Sequence, residues 1–147
     1  MADADLVHLI VRKTVTIKAP IEKVWDALTN PILIQQYLFG TMVETDWKVG
    51  SPIIYRGIWQ GKSYEDKGRI LQFYPHTLLE TTYWSPFSGL SDVPENYKIV
   101  RYELVQQQNG TKVILTQENN NSLEEVAHLG ENWDIVLRGL KRVVEQF

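Results

Sequence analysis

Apolar and polar positions follow first an alternating and then a helical pattern. Apolar residues alternate with polar ones between His8 and Lys18, which predicts a half-buried strand. Ala19-Pro20 ends this strand, and Asn30-Pro31 ends the helix that follows. That helix is predicted because apolar residues recur at spacings of three and four, at Ile21, Val24, Trp25 and Leu28. A second short helix is predicted over Ile32–Leu38.

From Thr41 onward the period is two, and it predicts six further strands. Turn sequences separate them, and Asn109-Gly110 is the strongest hairpin signal because both residues tolerate a positive φ. The loop between Pro86 and Asn96 is long for a compact domain, which is typical of a lid or rim over a binding site. The predicted strands cover Thr41–Asp46, Pro52–Gln60, Ser63–Tyr74, Leu78–Ser85, Tyr97–Gln107 and Lys112–Glu118.

A long amphipathic helix is predicted at the end of the chain. Ser122-Leu-Glu-Glu125 is a capping box, in which the serine caps the third helical amide and the glutamate reaches back. Gly130 lies inside this helix at a cost of about 0.8–1.0 kcal/mol relative to alanine. The apolar stripe comprises Val126, Leu129, Trp133, Val136, Leu137, Leu140, Val143, Val144 and Phe147. The order of elements predicts an α+β fold, with an antiparallel sheet whose apolar face the last helix covers.

Composition limits the class of protein and its partners. A length of 147 residues, with 44% apolar and 22% charged residues, predicts a single domain over residues 1–147. A net charge of −3 argues against nucleic acid as a partner, and the lack of cysteine excludes thiolate chemistry. No signal peptide or membrane-spanning run is visible, so we expect a cytoplasmic protein.

Sequence motifs predict neither a metal site nor a cofactor. His128 follows Glu124 and Glu125 at helical spacing, and we interpret these three residues as exposed helical charges. The glycine-rich segment 57–63 is interpreted as a hairpin turn, because it lies between strands and opens no helix. The charged run from Glu65 to Lys67 is predicted to be a solvated strand edge.

Aromatic and polar residues fall on the inward parity of several strands. Such groups either satisfy one another inside the fold or line a partly open cavity that orients a ligand, and the pattern leaves both alternatives open. We expect no catalytic residue among them. The candidate cavity residues are Trp25, Tyr37, Tyr55, Trp59, Tyr83, Tyr102, Leu115, Gln117, Gly130, Trp133 and Leu137.

Both ends of the chain resemble a known superfamily. Thr14-Val-Thr-Ile-Lys-Ala-Pro20 and the segment 24–31 resemble the opening of START-like (SRPBCC) proteins, in the branch named after the activator of the heat-shock protein 90 ATPase. The closing helix matches that branch at Trp133, Leu137, Leu140, Lys141 and Glu145. The resemblance implies a helix-grip fold, in which a curved antiparallel sheet wraps around the carboxy-terminal helix with a cavity between them. It transfers no catalytic residue.

The resemblance and the inward face together give three hypotheses. The first is binding of a small hydrophobic or aromatic ligand, such as a lipid, a sterol or a polyketide-like molecule, with Gly130 and Trp133 shaping one cavity wall. The second is an enzyme of the polyketide cyclase or dehydratase type, which needs an inward-facing ionisable group; a buried carboxylate in the cavity would rank it first. The third is a stress-related co-chaperone of the heat-shock protein. As an assembly, we expect a monomer or a homodimer.

Overall fold

The helices and strands occur in the predicted order. The computed structural model describes residues 9–146, so His8 and Phe147 of the predicted elements lie outside the described residues. Two 3₁₀ turns, Pro86–Ser88 and Pro94–Asn96, interrupt the long loop. The helices are α1 (Ile21–Thr29), α2 (Pro31–Tyr37) and α3 (Leu123–Glu145). The strands are β1 (Val11–Ile17), β2 (Met42–Glu44), β3 (Pro52–Trp59), β4 (Lys62–Tyr74), β5 (Leu78–Tyr83), β6 (Lys98–Gln107) and β7 (Gly110–Glu118).

The strands form one antiparallel sheet in the order β1-β7-β6-β5-β4-β3-β2. Because α1 and α2 separate β1 from β2 in the chain, the first two strands lie at opposite edges of the sheet. In the register, Tyr55 of β3 lies opposite Asp66 of β4, and Tyr102 of β6 lies opposite Leu115 of β7. The curved sheet and the long terminal helix confirm the predicted helix-grip arrangement.

Helix α3 packs against β1 and against both short helices. One of the two predicted capping-box interactions at its amino terminus is present, because the Ser122 hydroxyl accepts a hydrogen bond from the Glu125 amide at 3.0 Å. The Glu125 carboxylate does not reach back to the cap and pairs instead with Lys98 Nζ. Gly139 permits the contact with α2, because a Cβ there would lie 3.1 Å from the Tyr37 Cβ. The resulting core is dry, and its fully buried side chains include Ile17, Val24, Val113, Leu115 and Leu140.

Two glycine turns join adjacent strands, one as predicted and one displaced by a residue. Gln60 and Gly61 have φ values of 49° and 79° between β3 and β4, so segment 57–63 is the predicted hairpin turn. Gly110 instead pairs with Gln107, so the loop consists of residues 108 and 109 and not of Asn109-Gly110. A Cβ on Gly110 would lie 2.2 Å from the Ile17 carbonyl oxygen, so close approach to β1 accounts for this glycine.

Within residues 9–146, none of the helices combines the length and apolar character needed to cross a membrane.

Candidate functional site

A cluster of polar side chains lies on the inner face of β3, β4 and β5. Tyr55 lies opposite Asp66 in the register, and the Tyr83 hydroxyl on β5 donates a hydrogen bond to Asp66 Oδ2. The rings of Tyr55 and Tyr83 meet nearly edge to face, with centroids 5.7 Å apart and planes at 67°. Both rings are only partly buried, which leaves this end of the inner face less enclosed than the core beside α3.

Asp66 is the residue that the sequence analysis placed wrongly. Its side chain is 6% exposed, so the predicted solvated edge is incorrect at this position. Strand alternation explains the error, because Glu65 and Lys67 do point outward, where they pair with Arg56 and Asp92 at 3.0 and 2.5 Å. Asp66 Oδ1 is buried and has no hydrogen-bond partner among the described residues.

Both tyrosines of this cluster have a raised pKa. Burial raises the pKa of Tyr55 to about 12, against a hydrogen bond to Thr81 that lowers it, and the Asp66 charge raises it further. Burial likewise raises the pKa of Tyr83 above its usual range, assisted by the charge and the hydrogen bond of Asp66. At neutral pH both phenols are therefore uncharged hydrogen-bond donors.

A second group of inward polar residues, near the start of α3, forms a closed network. Trp133 Nε1 donates to Gln117 Oε1 at 2.6 Å, and Gln117 Nε2 donates to Asn120 Oδ1 at 3.2 Å. The ring of Tyr102 meets that of Trp133 edge to face at 6.0 Å. Here the polar groups satisfy one another, which is the structural alternative that the sequence left open.

Four of the predicted cavity residues contribute to the dry core. Trp25 packs against Phe73 at a centroid distance of 5.3 Å, and the Tyr37 hydroxyl donates to the Ala27 carbonyl at 2.8 Å. Leu115 and Leu137 are also buried there. Trp59 lies at the tip of the β3–β4 hairpin and is 52% exposed, so it stands apart from the polar cluster although its parity is inward.

Gly130 faces the side chain of Lys13 on β1. A Cβ at this position would lie 3.2 Å from Lys13 Cε, on the side of α3 that meets β1. Lys13 in turn pairs with Asp134 at 3.1 Å. Trp133 meets Gln117 on the neighbouring strand β7, and the shared cavity wall of Gly130 and Trp133 stays a prediction.

A groove of about 660 Å³ opens between the end of α2 and the β3–β4 hairpin, and its lining includes none of the eleven predicted residues. Its exposed apolar side chains are Phe39, Met42 and Ile58. Tyr64 also lines it, and its hydroxyl lies 2.6 Å from Thr41 Oγ1. Tyr64 is two residues from Asp66 on the same face of β4, whereas Arg56 and Glu65 of the groove lining lie on the outer face.

The loop predicted to be a lid is fastened mainly to the outer face of the sheet. Asp92 accepts from the Tyr97 hydroxyl at 2.5 Å and pairs with Lys67, while Trp84 Nε1 donates to the Leu90 carbonyl at 3.2 Å. Phe87 extends instead to the ring of Tyr64, at a centroid distance of 5.6 Å. The loop thus borders the groove through one aromatic contact.

Asp66 and Tyr64 were missed as site residues, although one sequence signal could have identified them. Counting back by twos from the buried Ile70 passes through Gly68, Asp66 and Tyr64, which therefore share its face. Residues 9–146 contain no group of three or more histidine, aspartate or glutamate side chains that could hold a metal ion.

Comparison with known proteins places this geometry in a family. Residues 18–145 match the model of the Activator of Hsp90 ATPase homolog 1-like protein family. The solution structure of ChR145 from Cytophaga hutchinsonii is 48% identical, with 94% of each chain covered and a TM-score of 0.82. No curated protein matches the chain.

Two more distant structures share the fold. The Aha1 dimer from Colwellia psychrerythraea is 21% identical, with 92% of this chain and 96% of that chain covered and a TM-score of 0.73. DynU16, a putative protein in the dynemicin biosynthetic locus, is 20% identical, with 93% of this chain and 47% of that chain covered and a TM-score of 0.77. On the extent of the family match and the similarity to the Cytophaga protein, this chain belongs to the Activator of Hsp90 ATPase homolog 1-like family.

Proposed function

We propose that the protein binds a small, largely apolar or aromatic molecule against the inner face of β3–β5 and performs acid–base chemistry on it. The observation that carries this proposal is Asp66, a buried carboxylate with one oxygen held by Tyr83 and the other without a partner within residues 9–146. A buried polar atom without a partner is uncommon in folded proteins and costs stability unless a ligand or water satisfies it.

The carboxylate and the phenols suit a proton transfer within one site. Asp66 Oδ1 can accept a proton from an O–H, N–H or acidic C–H group of the bound molecule, while Tyr83 stabilises the carboxylate through Oδ2. In a dehydration, the proton moves from carbon to Oδ1, the electron pair forms the double bond, and the leaving hydroxyl takes that proton to depart as water. The proton removed from carbon is the one that leaves with the hydroxyl group, so the step needs no other proton donor or acceptor.

Asp66 also changes the ranking of the hypotheses. The enzyme ranked second because the inward parity offered no carboxylate or histidine, and Asp66 supplies a buried inward carboxylate, which favours the enzyme. Binding without catalysis is now the second candidate, and it uses the same cluster of Tyr55, Asp66 and Tyr83.

A dehydration assay tests the catalytic proposal with one substrate probe and a matched control. The probe is the β-hydroxyketone precursor of benzylideneacetone, whose conjugated product is followed by its absorbance. Asp66→Asn should lower the rate by about 10²-fold or more, the usual contribution of a general base. Glu65→Gln removes the neighbouring carboxylate on the outer face and should leave the rate unchanged.

Two results would contradict the catalytic proposal: a wild-type rate equal to that of buffer, or an unchanged rate in Asp66→Asn. In either case, binding alone is tested by the melting temperature in the presence of the same probe. The co-chaperone hypothesis stays a prediction from the family resemblance, and stimulation of the chaperone ATPase by the purified protein would support it.

A further inference from the structure

The ion pairs of the described residues leave Asp66 without a cation. On the inner face, Lys13 pairs with Asp134 and Lys98 pairs with Glu125, both beside α3. Lys67, the next residue along β4, pairs with Asp92 on the outer face. The Tyr83 hydroxyl is the hydrogen-bond donor that Asp66 receives from the part of the chain that the structure describes.

A buried carboxylate in this position is electrostatically incomplete. Removing an ionised carboxylate from water is costly unless a cation and further hydrogen bonds compensate for the lost hydration. One phenol hydroxyl satisfies one of the two oxygens, and no donor among residues 9–146 reaches the other. A bound molecule that brings a positive charge and N–H donors would supply both missing interactions.

The rings around Asp66 favour the same kind of group. Tyr55 lies directly across the sheet from Asp66, Tyr83 donates to it, and Tyr64 lies two residues before it on the same face. Tyrosine rings attract cations at their electron-rich faces, and the attraction strengthens when water is excluded. Because the phenols of Tyr55 and Tyr83 remain protonated, they offer rings and hydroxyls without adding charge.

We propose that the molecule bound at this site carries a protonated amine, which pairs with Asp66 Oδ1 and lies against the rings of Tyr55 and Tyr83. This inference rests on the proposed function, because it names the substrate class of the same site; for an amine substrate, the N–H group is then the source of the proton that Oδ1 accepts. Since Oδ1 is enclosed, the ammonium group reaches it when a neighbouring side chain moves. Tyr64, two residues before Asp66 on the same face of β4, is a partly buried neighbour of this kind.

Three probes of similar shape and different charge test the inference. Phenethylamine, which is an ammonium ion at neutral pH, is compared with phenethyl alcohol and with phenylacetate by calorimetric titration of the wild-type protein. We expect the amine to bind at least about tenfold more tightly than the alcohol, since its hydrogen bonds are charge-assisted, and phenylacetate to bind most weakly.

Two variants assign the preference to Asp66. Asp66→Asn should reduce the affinity for the amine to that for the alcohol, while leaving the affinity for the alcohol nearly unchanged. Glu65→Gln carries the same loss of charge one residue away on the outer face and should keep the preference.

Two outcomes would overturn the inference alone, and a third would overturn both proposals. Equal affinities for amine and alcohol would overturn the amine assignment and leave the proposed function standing. An amine preference that persists in Asp66→Asn would also overturn it, because the charge would then be recognised elsewhere. If none of the three probes binds, both proposals fail for molecules of this class.

Discussion

The two ends of the inner face share one sheet and differ in what covers them. At the packed end, formed by β1 and β7 under α3 and the short helices, inward residues such as Val113 and Leu115 are fully buried. At the polar end, formed by the inner face of β3–β5, Tyr55 and Tyr83 are partly open around Asp66. Side chains alternate between the two faces of the sheet at both ends. The position of a residue in its strand therefore determines the face on which it lies, and the helix that covers that face determines how deeply it is buried.

The packed end should suffer most from truncation of a buried side chain. Leu140→Ala on α3 removes a side chain that is 0% exposed, and we expect a loss of about 2–5 kcal/mol in the free energy of unfolding by urea. Ile135→Ala on the same helix is the control, because Ile135 is largely exposed and should change stability by less than about 0.5 kcal/mol. Equal losses in both variants would show that burial of Leu140 is not the source of the effect.

Trp133 contacts β6 and β7 from α3, and its removal should have the next largest effect. Trp133→Ala should cost about 3 kcal/mol, because the ring packs on Tyr102 and the indole N–H satisfies Gln117. Trp133→Phe keeps an aromatic ring but leaves Gln117 Oε1 without its donor, which should cost about 1–3 kcal/mol. A phenylalanine variant as stable as the wild type in urea would show that the hydrogen bond contributes nothing.

Alkaline pH should lower the free energy of unfolding through Tyr55 of the polar end. The folded pKa of Tyr55 is about 12 and the unfolded value is about 10, so the folded chain keeps a proton that the unfolded chain releases. This contribution is fully present below about pH 10 and is lost as the pH rises through about 12. Urea unfolding across this interval should show the decline, and Tyr55→Phe should make it smaller. An identical decline in Tyr55→Phe would exclude Tyr55 as its source.

Asp66→Asn should separate stability from function. Replacing a buried carboxylate that lacks a cation is expected to leave the free energy of unfolding unchanged or to raise it by about 1 kcal/mol. The asparagine side-chain oxygen can still accept from the Tyr83 hydroxyl. A loss of more than about 2 kcal/mol in urea would instead identify Asp66 as a structural residue.

Gly130→Leu should have the smallest effect, in contrast to its predicted role in a cavity wall. The leucine gains roughly 0.8–1.0 kcal/mol of helix propensity and displaces the flexible end of Lys13 from Asp134, a partly exposed pair worth about 0–1 kcal/mol. We therefore expect little change in urea unfolding and none in the binding of probes at Asp66. Loss of binding in this variant would support the predicted role of Gly130 in a cavity wall.

The fold was predictable because alternation and capping act locally. The six later strands, the helix pair and the Ser122 cap all depend on residues within a few positions of one another. The turn before β7 lies one residue earlier than predicted. Gly110 is required there by its close approach to the Ile17 carbonyl, and the local sequence does not reveal a contact between segments so distant in the chain.

The candidate site was predictable in part, and for the same reason. Tyr55 and Tyr83 were assigned correctly to the inner face by parity, whereas Trp59 has that parity but lies beyond the covered part of the sheet. Asp66 was missed because its neighbours Glu65 and Lys67 make the run appear uniformly solvated. The register shift between Ile70 and Gln72 further breaks the alternation of β4 on its carboxyl side, which weakens the parity argument there.

Chemical-shift mapping tests most directly whether the polar end is the site at which a small molecule binds. Phenethylamine is titrated into ¹⁵N-labelled wild-type protein, and the backbone amide shifts are assigned along the sheet. The account predicts that the largest shifts occur at Tyr55, Asp66 and Tyr83 and that Asp66→Asn abolishes them. Shifts confined to the surface groove, at Met42 and Ile58, or to the core beside α3 would contradict it.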